Sequence, residues 1–134
     1  MTPPTALILL AFLLALTVGA LAAAVVAGLR RKRRLHIALV VIAVCGLVIT
    51  IAQAYSVGSL YDLEATGATH RIHRFFARLS TLFLVAPAAL GVATLRNPSV
   101  RPWHRRLAFV SLALLGAATV SGVTMMVLAS PLPS

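Results

Sequence analysis

Residues 30–48 read RRKRRLHIALVVIAVCGLV, so five basic residues and then Leu35 precede His36 and a long apolar run. The rest of the chain has the same character: 60% of its 134 residues are hydrophobic and only 10% are charged. An ordinary water-soluble domain needs a much more polar surface than this composition provides. The sequence therefore predicts an integral membrane protein.

Four apolar stretches are long enough to cross the hydrocarbon core of a bilayer, which takes about 20 residues of α-helix. They cover residues 5–29, 35–60, 72–95 and 103–129, with short connections between them. We therefore predict an all-α fold in which residues 1–134 form one domain, an up-and-down bundle of four transmembrane helices. Within helix 2, Thr50 and Gln53 are expected to hydrogen-bond to a neighbouring helix.

The basic residues predict how these helices are oriented. Nine of the twelve Lys and Arg residues lie between helices 1 and 2 or around the start of helix 4, whereas the two acids, Asp62 and Glu64, follow helix 2. Lys and Arg in short loops favour the cytoplasmic side, so both termini are expected outside, in a bacterial cytoplasmic membrane. The net charge of +10 is expected to meet anionic lipid headgroups rather than nucleic acid, because the basic residues lie at helix ends.

A short repeat joins helices 3 and 4. Residues 73–80 read HRFFARLS and residues 104–111 read HRRLAFVS, so both fit His-Arg-x-x-Ala-x-x-Ser. Steps of three, four and seven residues keep these positions on one helical face, which gives each helix a His at its start and small residues below it. His36 begins helix 2 in the same manner. Because helices 2 and 4 are both expected to start at the cytoplasmic side, His36 and His104 are expected at the same depth in the membrane.

Two such histidines suit a b-type haem. Neutral imidazole is a good iron ligand, and two axial histidines leave no open position for oxygen, which favours electron transfer. Helix bundles commonly build cofactor sites from facing side chains. Arg34, Arg101 and Arg105 are candidates for binding the haem propionates. The alternative is that the histidines are interfacial polar residues and the arginines only mark the cytoplasmic side.

The order of these motifs resembles the four-helix core of the cytochrome b561 superfamily over about residues 34–125. The resemblance rests on Arg34-Leu35-His36 before Gly46-Leu47-Val48, on Tyr61-Asp62-Leu63 before the cluster from His70 to His73, and on Arg101-Pro102-Trp103-His104. It implies that His36 and His104 hold an inner haem. It also implies that helix 3 offers His70 or His73 to a second haem near the outer face.

Helix 1 departs from that pattern. It contains no His or Cys and only the initiator Met1, so we expect one haem, unless a second subunit supplies the missing ligand. Alternatively, a quinone binds near the outer face, at the place that the second haem would otherwise occupy. His70, His73, Arg74, Arg78 and Tyr61 are the residues expected to form such an outer haem or quinone site. The alternative for the arginines is that they extend towards outer headgroups.

The sequence thus predicts a membrane cytochrome that passes electrons between a quinol or small reductant and a redox partner, and leaves open whether the chain is itself an oxidoreductase. One rival is a non-catalytic accessory subunit of a larger respiratory or photosynthetic membrane complex, with a His that ligates a pigment. Another is a transport or scaffold protein without a cofactor. The abundance of Gly and Ala is compatible with a homodimer.

Overall fold

The computed structural model describes residues 2–132, most of which lie in four long α-helices. These are α1 Pro3–Leu29, α2 Arg33–Gly58, α3 Ala68–Ala93 and α4 Arg101–Leu128. All four are long and apolar enough to cross a membrane, which confirms the four predicted apolar helices. Each helix begins two to four residues before its predicted start, because the first turn, which contains polar residues or proline, is helical as well as the apolar run behind it.

Short elements connect these helices. One-turn 3₁₀ helices cover Glu64–Thr66 and Pro98–Val100, and the two-residue strands β1, Tyr61–Asp62, and β2, Ser130–Pro131, form a small ladder. The backbone N–H of Leu132 donates to the carbonyl of Leu60 across 3.0 Å. The end of the described chain is therefore held by backbone pairing.

The chain divides into two compact units, of which the first contains α1 and α2 and the second contains α3 and α4. Each unit is an antiparallel helical hairpin. In the first, His36 near the start of α2 contacts Ala24 near the end of α1, and Gln53 near the end of α2 contacts Ala6 near the start of α1.

The turn between α1 and α2 is closed by backbone hydrogen bonds. The Lys32 N–H donates to the Ala27 carbonyl at 2.9 Å, and the Arg31 N–H donates to the Gly28 carbonyl at 3.0 Å. This pair of bonds defines a Schellman motif, in which the residue just past the helix adopts a left-handed conformation. That residue is Arg31, with φ of 58°, where glycine is usual.

Buried positions recur every seven residues in both hairpins. The buried residues on these lines are Thr17 and Ala24 in α1, Ala43, Thr50 and Val57 in α2, Ser80 and Pro87 in α3, and Ser111, Ala118 and Met125 in α4. A seven-residue step stays on one face of a helix, and small residues there allow close backbone approach. The residue seven positions before the first buried residue of each line is His36 in α2, His73 in α3 and His104 in α4. In α1 it is Leu10.

Candidate functional site

His36 is held by the helix that precedes it. Its Nδ1 lies 2.7 Å from the carbonyl oxygen of Ala24. The imidazole also rests on Gly28, where an added Cβ would lie 3.1 Å from Nδ1. A carbonyl only accepts, so Nδ1 carries the proton and donates, and Nε2 is the nitrogen with the lone pair. The hydrogen bond therefore selects the tautomer that ligates through Nε2.

His104 has the same surroundings in the second hairpin. Its Nδ1 donates to the carbonyl oxygen of Pro87 across 2.9 Å. Its ring lies against Gly91, where a Cβ would be 3.3 Å from Cε1. His36 and His104 thus each occupy the loop end of their own hairpin, with the same ring nitrogen anchored and the same tautomer selected.

His73 repeats the arrangement at the other end of the second hairpin. Its Nδ1 lies 3.0 Å from the Ala118 carbonyl oxygen, and a Cβ on Gly122 would lie 2.9 Å from its Cε1. The Ser121 hydroxyl lies 3.5 Å from the same Nδ1. Of the two outer histidines considered from the sequence, His73 is therefore the one that packs against α4.

One backbone device serves all three histidines. The accepting carbonyl belongs to Ala24, Pro87 or Ala118, and in each case glycine follows four residues later. Residues four apart stack on one helical face, so the absent side chain leaves the imidazole room to reach the carbonyl. The sequence reasoning did not recognise this pattern, although a small residue or proline followed by glycine at the fourth position was a usable signal.

Pro87 is accommodated by a side chain from α4. Proline has no backbone N–H, so the carbonyl of Phe83 loses its donor within α3. The Ser111 hydroxyl lies 3.0 Å from that carbonyl oxygen and 2.9 Å from the Leu107 carbonyl oxygen of its own helix. Ser111, one of the two serines of the sequence repeat, thereby links α4 to the turn of α3 that carries the acceptor for His104.

The first hairpin has no histidine at the end away from its connecting loop. Thr17 and Thr50 hydrogen-bond across the hairpin at 3.2 Å, and Gln53 Nε2 donates to the Ala6 carbonyl oxygen at 3.2 Å. These bonds confirm the predicted interhelical role of Thr50 and Gln53. Leu10 occupies the position on α1 that His73 occupies on α3.

The arginines proposed for the propionates lie close to the histidines along the chain. Arg34, Arg101 and Arg105 are all exposed. Beside them, the Arg106 guanidinium lies 5.4 Å from the centroid of the Trp103 ring, a cation–π distance. The start of α4 therefore carries exposed positive charge on both sides of His104 along the chain.

The residues considered for the outer site do not all share one surface. Arg74 and Arg78 line a shallow groove on α3, about 100° and 140° around the helix from His73. His70 is half-buried on α3, whereas Tyr61 is 8% exposed and belongs to the first unit. The structure thus brings the two arginines together and separates them from the α4-facing side of His73.

Among residues 2–132, no three His, Cys, Asp or Glu side chains converge as a metal cluster. A haem iron takes only two axial protein ligands, so that observation does not bear on a histidine pair. Comparisons of the chain with protein-family models, curated sequences and solved structures give no match.

Proposed function

We propose that the chain is an integral membrane protein of electron transfer that binds one b-type haem through His36 and His104. The observation that carries the proposal is the identical anchoring of the two rings. Each Nδ1 donates to a backbone carbonyl, of Ala24 or of Pro87, and each ring lies over a glycine. Histidines that ligate metals typically donate their second ring N–H to a carbonyl or carboxylate, which fixes the tautomer and ring orientation.

The haem, when bound, supplies reversible one-electron exchange at iron. The chain contributes the ligand geometry and the surroundings. The Nδ1–H bonds fix the orientation of each ring. Arg34, Arg101 and Arg105 are exposed beside the histidines along the chain, and guanidinium pairs with carboxylate in a bidentate geometry, which suits haem propionates.

The seven-residue lines support a single haem in this proposal. The residue seven positions before the first buried residue is His36, His73 or His104 in three of the four lines. In the fourth line, on α1, it is Leu10, whose side chain has no donor atom for iron. His73 therefore lacks a counterpart on α1. In this proposal, His73 either contacts a bound quinone or shares a haem with a ligand from a second copy of the chain. The bound quinol, or another small reductant, exchanges electrons with the haem held by His36 and His104.

The orientation belongs to the same proposal. The connection between α1 and α2 and the start of α4 carry nine of the twelve basic residues, so these ends face the cytoplasm and both termini face outward. His36 and His104 then belong to the cytoplasmic half of a bacterial inner membrane. The redox partner that completes the electron path is reached from that side.

A pigment-binding accessory subunit is the second candidate function. It is favoured by the fact that each of the three histidines is anchored within its own hairpin. A magnesium tetrapyrrole generally takes one axial ligand, so three such residues would act independently. A haem with two axial histidines requires both at once, and this difference separates the two proposals.

The test is a set of oxidised and reduced visible spectra of the purified protein with His36→Ala, His104→Ala and His73→Ala. We expect a low-spin b-type spectrum in the wild type and in His73→Ala, which is the matched control. Either of the other substitutions should remove it, and external imidazole should partly restore it by replacing the missing ligand. A colourless wild type, or loss of only part of the pigment with each substitution, would contradict the haem proposal.

A further inference from the structure

We propose that the exposed groove on α3 binds the headgroup of an anionic phospholipid. The groove is lined by Arg71, Arg74, Phe75, Arg78, Leu79 and Leu82. All six residues come from one helix, and the groove is distinct from the α4-facing side that holds His73. This proposal does not depend on the haem.

The three arginines form one cationic surface. Arg71, Arg74 and Arg78 are spaced by three and four residues and all are exposed. This spacing spans roughly 10 Å along the helix axis. Side chains on a helix lean towards its N-terminus, so the Arg78 guanidinium extends towards Arg74. Several guanidinium groups on one face can each donate paired hydrogen bonds to phosphate oxygens.

The groove changes from charged to apolar along its length. Arg71 and Arg74 lie at its N-terminal end, and Leu79 and Leu82 at its C-terminal end. Leu82 is 70% exposed and Phe75 is 60% exposed. A phospholipid has the same order of parts, a phosphate followed by an acyl chain, and so fits both halves of the groove. A free phosphate ion would use only the charged half.

Charge balance also points to an anion from outside the chain. The protein has twelve Lys and Arg residues and two Asp and Glu residues, so most of its positive charge must be balanced by other molecules. Arg78 is the eleventh residue of a helix long and apolar enough to cross a membrane. An arginine at that depth is costly unless it is paired, and anionic lipids surround an exposed helical face in a bilayer.

The experiment measures lipid retained by the detergent-purified protein after incubation with equal amounts of phosphatidylglycerol and phosphatidylcholine. We expect wild type to retain phosphatidylglycerol in preference, by roughly tenfold, as two or more arginines near a surface provide. Arg74→Gln with Arg78→Gln should remove this preference. The matched control, Arg30→Gln with Arg96→Gln, loses the same charge at exposed positions outside the groove and should keep it.

Three results would overturn the proposal. Equal retention of the two lipids by wild type would do so, and this measurement needs no variant to fold. An equal loss of preference in the control pair would show that only net charge matters. Displacement of the lipid by excess inorganic phosphate would show that a free anion is the ligand. Spectra of any bound haem, recorded on the same samples, keep this test separate from that of the proposed function.

Discussion

The glycines beneath the histidine rings give the sharpest test of the proposal that His36 and His104 bind a haem. A Cβ would lie 3.1 Å from His36 Nδ1 at Gly28, 3.3 Å from His104 Cε1 at Gly91 and 2.9 Å from His73 Cε1 at Gly122. At Gly19 and Gly116 nothing lies within 4 Å. Substitution of these five glycines by alanine, one at a time, adds the same methyl group at three sites that differ in how close the histidine ring lies. At the other two sites, the controls, the methyl group meets no neighbouring atom.

The expected stabilities follow from two opposing effects. Alanine in place of glycine favours a helix by about 1 kcal/mol, so Gly19→Ala and Gly116→Ala should stabilise the protein slightly. At Gly122 the 2.9 Å contact must lengthen to the ordinary 3.4 Å or more. Overpacking costs about 1–3 kcal/mol, and weakening the bond from His73 to Ala118 costs about 1 kcal/mol more. The net expectation is a loss of roughly 1–3 kcal/mol for Gly122→Ala, a smaller loss for Gly28→Ala and almost none for Gly91→Ala.

The haem signal should follow a different order from stability. If His36 and His104 are the ligands, Gly28→Ala and Gly91→Ala displace a ligand ring and weaken its Nδ1 hydrogen bond. If the weakened ligand costs one oxidation state of the haem about 1 kcal/mol more than the other, the midpoint potential shifts by roughly 40 mV for a one-electron couple. Gly122→Ala, although the most crowded, should leave the midpoint potential unchanged.

Both quantities are measured on the same detergent-purified samples, with thermal unfolding followed by circular dichroism and redox titration followed by visible absorbance. The ligand assignment is wrong if Gly122→Ala shifts the potential as much as Gly28→Ala. The steric reasoning is wrong if Gly19→Ala or Gly116→Ala destabilises the protein as much as Gly122→Ala.

Two further predictions concern the backbone. Arg31→Gly should stabilise the protein by about 0.5–1 kcal/mol, because glycine adopts the left-handed conformation without the penalty that arginine incurs; an unchanged or lower unfolding temperature would contradict the Schellman assignment. Ser111→Ala should cost about 1 kcal/mol by removing the donor to the Phe83 carbonyl. The cost should fall by about half in a Pro87→Ala background, where a backbone N–H at position 87 reaches that carbonyl, and equal costs in both backgrounds would refute this role of Ser111.

Local signals in the sequence were sufficient for the helices and for the histidine positions. Hydropathy over some twenty residues is a property of each segment alone, so the four helices could be predicted without knowledge of their neighbours. The same holds for the repeat that places His73 and His104 one step before a line of small residues. The helix starts were predicted too late, because hydropathy does not register charged residues such as Arg33 and Arg101 as helical.

The partners of the histidines were decided only by the tertiary structure. His36, His104 and His73 donate to carbonyls that lie 12, 17 and 45 residues away, and the distance along the chain says nothing about which carbonyl is reached. That choice depends on the register of each antiparallel hairpin, since a shift by one residue rotates the opposing face by about 100°. A rotation of about 100° around α3 likewise separates Arg74 from His73, its direct neighbour in the sequence.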